Sequence, residues 1–143
     1  MLVFTKRLSA NENTVVSLTL PLNSEDRTRS RYRWETAEGK VVHLRLPRGT
    51  VLRDSDLLTT DAGEDLVRII AKAEPVITVV GKTPLDLLKA AYHLGNRHVP
   101  LELTATYLRL SSDPVLAAML EQLGLKIIEE VAPFQPEVGA YSH

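Results

Sequence analysis

VITVVGKTPLDLLKAAYHLGNRHVPLELTATYLRLSSDPVLAAMLEQLGLKIIEEV, residues 76–131, is the stretch whose reading decides the fold. Residues 76–80 are a β-branched run, a strand signal, closed by Gly81. Thr83 then suits an N-cap, Pro84 the first helical position, and Asp86 stands three residues after the cap. Leu85, Leu88, Ala91 and Tyr92 form the expected apolar face of this helix, and Gly95 its expected stop. Residues 101–106 and 107–110 read as strands. A second helix opens at Asp113-Pro114, sets Val115, Leu116, Met119, Leu120 and Leu123 on one side, and ends at Gly124. Residues 125–131 are a last strand. The order β-α-β-β-α-β is that of a ferredoxin-like fold.

Residues 1–74 follow other rules. Residues 15–22 and 41–46 are strand-like, and 66–71 is a shorter candidate. Turn chemistry separates them, at Asn11 to Asn13, Glu38-Gly39, Pro47-Arg48-Gly49 and Asp61-Ala62-Gly63. No helix-length period appears, so a small β-barrel or sandwich is expected. The chain as a whole reads as α+β in two domains, 1–74 and 75–143. The final run, APFQPEVGAYSH, has two prolines and no periodicity, and extends from the second domain.

Composition excludes several classes of function. In 143 residues, 17 Lys and Arg face 18 Asp and Glu, so bulk attraction to nucleic acid or anionic membrane is weak. Cysteine is absent, which excludes disulfides and thiolate metal sites. Any metal must be held by imidazole, carboxylate, backbone or water. The first residues, MLVFTKRLSANEN, lack the apolar run of a signal peptide, and no stretch approaches a membrane span. A soluble, cytoplasmic protein is expected. No Gly-rich phosphate loop, nucleophile elbow or Ser-His-Asp arrangement can be read, so no enzyme is expected.

Chemistry concentrates on the four histidines, His43, His93, His98 and His143. His43 lies in a β run and reads as a surface or partner-facing side chain. His93 and His98 would lie ~140° apart on an unbroken helix. With a break at Gly95, His93 falls in the last helical turn and His98 in the following loop. A cation near a helix C-terminus gives His93 an ordinary capping or packing role. Spacing alone leaves His98 either a loop residue or a metal ligand. Elsewhere, Arg27, Arg29, Arg31 and Arg33 alternate and would share one face of a strand, as a solubilising edge or as a docking surface for an acidic partner. Asp54, Asp56 and Asp61 read as turn caps, and their D-x-D string lacks the remaining ligands of a calcium loop.

The string YHLGNRHVPLEL, residues 92–103, resembles the signature of the urease accessory protein E family, nickel metallochaperones of urease assembly. LRLPRGTVLRDSDLL (44–58), SSDPVLAAMLEQLG (111–124) and APFQPEVGAY (132–141) resemble the family's N-terminal turn-rich segment, second helix and C-terminal run, in order. The likeness covers nearly the whole chain. It implies a peptide-binding-like β domain followed by a ferredoxin-like domain that binds metal and dimerises. It also implies that the second histidine of the string, His98, binds Ni(II) at the dimer interface, one from each subunit. A two-fold axis doubles each ligand, which answers the shortage of ligands in one chain. Imidazole suits nickel, but Cu(II) would bind more tightly to the same ligands, and Zn(II) is a further substitute, so the metal's identity comes from the family.

Two features depart from the family. Where some members carry histidines near the second helix, this chain has Ser112 and Pro114, with only Asp113 left. In place of a histidine-rich tail it has His143 alone, which either completes the coordination shell or is a free end. The expected load is one ion per dimer, delivered to apo-urease with the accessory GTPase among the partners. The alternatives are a broader Ni, Zn or Cu buffer without a dedicated client, and an RNA-binding ferredoxin-like module. The second lacks aromatics in VITVV and, over residues 75–143, has 5 Lys and Arg against 7 Asp and Glu.

Overall fold

The computed structural model describes residues 2–138, which divide between Lys72 and Ala73 into two compact units. The first contains β1 (Leu2–Phe4), β2 (Lys6–Leu8), β3 (Leu18–Leu22), a 3-10 turn (Asp26–Thr28), β4 (Arg31–Glu35), β5 (Val41–Arg45), β6 (Leu57–Thr59) and β7 (Leu66–Ala71). Two open sheets result, ordered β1-β5-β4 and β2-β6-β7-β3, and the strands do not close into a barrel. Alternation along the strands turns Phe4, Val42 and Leu44 of one sheet and Leu20, Leu22, Leu58, Val67 and Ile69 of the other into one core. The N-terminal strands were not expected from the sequence. Each is only three residues long, and Lys6 and Arg7 are exposed, so neither shows a readable period. Thr5 between them donates its N–H to the carbonyl of Thr59, 3.0 Å away.

The four alternating arginines do not form one ladder. Only Arg31 and Arg33 lie on β4, both exposed. Arg27 sits in the 3-10 turn, 1% exposed, and donates to the carbonyls of Leu22 and Leu52. Its guanidinium ties the turn to two separated segments, a tertiary use that alternation cannot reveal. Arg29 caps the same turn and pairs locally with Glu25 and Asp26. Of the three aspartates expected to cap turns, Asp56 does so, accepting from Arg53 N–H at 2.8 Å, whereas Asp54 accepts from Ala71 N–H 17 residues away and Asp61 from the hydroxyl of Thr5.

The second unit runs β8 (Glu74–Val80), α1 (Pro84–Asn96), β9 (Glu102–Leu103), β10 (Leu108–Ser111), α2 (Pro114–Gln122) and β11 (Lys126–Ala132). Its sheet is antiparallel, ordered β11-β8-β10-β9, so the two helix-flanked strands β8 and β10 are central. Neither helix is long and apolar enough to cross a membrane. The α1 start is built as its residues dictate: Thr83 Oγ1 accepts from Asp86 N–H, and the Asp86 carboxylate accepts from Thr83 and Lys82 N–H. Gly81 permits this turn, since a Cβ there would stand 2.7 Å from the Cβ of Asp86. Gly81→Ala is expected to lower stability by about 1–3 kcal/mol through this overlap, measured by chemical denaturation; an unchanged midpoint would show that the cap can shift freely.

The helix faces differ from expectation. Leu87, Ala90 and Leu94 are the residues α1 buries against the sheet, while Leu85, Leu88 and Tyr92 face outward. Apolar side chains surround most of α1, so two stripes compete, and the sheet takes the 87-90-94 stripe. On α2, Ala117 and Leu120 are buried with Leu116 and Met119 against them, whereas Val115 and Leu123 remain exposed. Gly95 does not stop α1, which continues to Asn96. Gly124 does terminate α2, with φ of 86° and Leu125 N–H returning to the carbonyl of Leu120.

Candidate metal centre

Termination of α1 falls to His98. Its φ is 57°, the left-handed region, and its N–H reaches the carbonyl of Gly95 at 3.0 Å. Val99 N–H then closes on the carbonyl of Leu94 at 3.1 Å, completing a helix C-terminal motif in which glycine is the usual occupant. A histidine there carries backbone strain that a glycine would not. His98→Gly is therefore expected to be more stable than His98→Ala by about 1 kcal/mol in chemical denaturation. Equal stabilities would mean that this backbone relaxes without cost.

The imidazole of His98 is exposed, beyond the end of the outward stripe of α1. Leu85, Leu88 and Tyr92 along that stripe are 54%, 66% and 66% exposed. At i, i+3 and i+7 they share one side of the helix. Beside them, Pro84, Leu88, Ala91, Leu103 and Ala105 line an apolar groove of about 280 Å³ between α1 and the β9–β10 turn. Among the described residues nothing lies within 4 Å of where a Cβ of Gly95 would stand, so none of their contacts asks for glycine.

His93 lies in the last turn of α1, its ring edge-on to Tyr92 at 5.4 Å. It is exposed and borders a small depression with Asp86, Lys89, Leu123 and Leu125. His43 pairs in register with Val3 and Arg33, in the other unit. Asp113 is committed as the α2 N-cap, accepting from Val115 and Leu116 N–H. His143 lies outside the described residues. Among the described residues no three His, Asp or Glu side chains converge as a metal site. The described residues thus offer isolated donors.

Sequence reasoning missed what holds the C-terminal run. β8 is buried on both faces, with Ile77 and Val79 toward the helices and Val76 and Thr78 on the opposite side. On that opposite side Arg109 bonds Thr78 Oγ1 at 3.1 Å and the carbonyl of Pro133 at 3.2 Å, and pairs with Glu102 and Glu130. Glu102 accepts from Gln135 N–H, and Glu137 N–H reaches the carbonyl of Leu101. Phe134 between them is 1% exposed. The run is thereby led back to within three residues of His98.

Comparison with known proteins bears on both units. Residues 4–72 match the family model described as the UreE urease accessory protein N-terminal domain, and residues 74–143 match that of the C-terminal domain. The chain belongs to the UreE family of urease accessory proteins. It is 62% identical over 141 residues to the urease accessory protein UreE of Nostoc punctiforme, covering 99% of this chain and 95% of that one. A second UreE, from Nostoc sp., is 57% identical over 143 residues, covering 100% and 97%. One from Burkholderia vietnamiensis is 50% identical over 141 residues, covering 95% of this chain and 70% of its own length. As a UreE this chain is an accessory chaperone of urease maturation and not an enzyme, and it works with the urease machinery. That role implies the handling of a metal.

Proposed function

We propose that this UreE carries Ni(II) as a homodimer and delivers it to apo-urease in the cytoplasm, with the accessory GTPase among its partners. The nickel is cargo, held between two copies of His98. The observation that carries the reading is the pairing of an exposed imidazole with an unpartnered apolar stripe that leads toward it. A single imidazole binds a divalent ion poorly, and a two-fold axis through the stripe would supply a second. An exposed Gly95 on the same helix suits the close approach of another backbone. The second unit, residues 75–143, is then the ferredoxin-like metal-binding and dimerisation domain, and residues 1–74 the peptide-binding-like domain.

His143 is proposed as a further ligand. The last described residue, Val138, follows the Glu137 N–H bond to Leu101 directly. Five further residues span at most about 18 Å when extended, and Leu101 at the anchor is three residues from His98 in the chain. Zn(II) or Cu(II) would take the same donors. Calorimetric titration with Ni(II), with mass measured in solution, tests the proposal: one tight ion per dimer is expected. Several tight ions per dimer, or tight binding to a monomer, would contradict it.

A general metal buffer is the second reading. Urease activation in cells lacking the protein separates the two, because a buffer without a client leaves urease fully active. The RNA-binding reading is disfavoured by the sheet. The face on which bases would stack is covered by the run through Phe134 and carries Glu102 and Glu130.

A further inference from the structure

The outer face of the β1-β5-β4 sheet has a chemistry unrelated to the metal site. With Val42 and Leu44 turned into the core, β5 presents His43 and Arg45 outward, and β4 presents Arg31, Arg33 and Glu35. The register sets Arg31 directly opposite Arg45, and Arg33 opposite His43. Like charges directly opposite one another weaken a strand pair, so folding alone gives no reason for this arrangement. Glu35 lies 3.8 Å from Arg33. Among the described residues neither Arg31 nor Arg45 forms an ion pair. Over residues 2–72, 12 Lys and Arg stand against 10 Asp and Glu, so the excess is local to this face rather than general.

β4 is also the edge of its sheet. Leu46 N–H donates to the carbonyl of Ser30 and Thr36 N–H to that of Lys40, both at 2.8 Å. The two-residue alternation of an antiparallel ladder then assigns Tyr32 and Trp34 to bonds with β5. It turns the N–H and C=O groups of Arg31, Arg33 and Glu35 toward the open edge. The same residues thus combine free backbone groups with cationic side chains.

We propose that the β4 edge docks an acidic, extended segment of a partner protein, which adds as a strand and sets its carboxylates against Arg31 and Arg33, with Arg45 behind them. Main-chain bonds supply affinity and the guanidinium forks supply selectivity, since each matches a carboxylate with two parallel bonds. A nucleic acid fits less well, because Tyr32 and Trp34 pack against the core and leave no aromatic on this face for a base. Charged edges also protect sheets from self-association, and the test must separate that role. The proposal concerns the first unit alone and does not depend on the nickel reading.

The test uses the full chain without metal and a fluorescent decapeptide of alternating Glu and Val, followed by anisotropy. Binding is expected, weakened at least ~10-fold in the Arg31→Glu, Arg45→Glu double variant and progressively lost with salt. Glu35→Pro removes an outward N–H while also removing a negative charge. Strand addition predicts at least ~10-fold weaker binding in it, whereas charge attraction alone predicts tighter binding. Circular dichroism checks that each variant folds, and Arg31→Gln with Arg45→Gln replaces the reversal if it does not. Undiminished binding in the charge variants, or in Glu35→Pro, overturns the proposal. So does a Lys-Val decapeptide or an oligouridylate that binds as tightly as the Glu-Val peptide.

Discussion

Replacing His98 with alanine is expected to abolish tight Ni(II) binding while the protein remains dimeric. The imidazole is exposed and makes no contact on which the core of the second unit depends, so its loss leaves the Leu85, Leu88 and Tyr92 stripe intact. Groups that merely orient a metal ligand are worth about 10–100-fold in affinity, so losing the ligand itself from both chains should exceed about 100-fold. Calorimetry of the variant reads the affinity, and mass in solution reads the assembly. Unchanged nickel binding would remove His98 from the site and move the metal to the tail. Loss of the dimer together with the metal would mean that His98 builds the interface rather than the coordination shell.

The opposite separation is expected from Leu88→Asp. In the single chain Leu88 is 66% exposed, so folding should change by no more than about 0.5 kcal/mol. In the proposed dimer Leu88 is buried once on each side of the axis, and burying a leucine is worth about 1.5–3 kcal/mol. Two copies lose about 4 kcal/mol, a dimer constant weaker by roughly a thousand-fold, before the cost of burying the new carboxylate is added. Sedimentation should find monomers, and Ni(II) affinity should fall although His98 is untouched. A dimer that survives Leu88→Asp combined with Tyr92→Asp would place the interface elsewhere.

What the sequence revealed follows the range of the interactions involved. Both helix starts were legible, because Thr83, Asp86 and Asp113 bond backbone groups no more than four residues away. The stop at Gly124 is equally local. The stop at His98 was not legible, because Gly95 offered a cheaper residue for it three positions earlier, and the helix runs on past it to Asn96. The buried face of α1 depends on which of two apolar stripes meets the sheet. Arg27 finds its carbonyls 5 and 25 residues away, and Gln135 finds Glu102 33 residues away, distances at which no period or motif operates. His98 itself came from likeness to a family, since one histidine in a loop carries no pattern of its own.

The anchoring of the C-terminal run through Glu137 and Leu101 bears on how quickly cargo could leave. A donor tethered this closely, if His143 is the further ligand proposed, would compete for the ion at an effective concentration in the millimolar range. If nickel is held as proposed, an incoming ligand from a client would take the place of that arm first, with the two His98 imidazoles retaining the ion until then. Transfer would then proceed by successive exchange of ligands, and the ion would pass from carrier to client without entering bulk water.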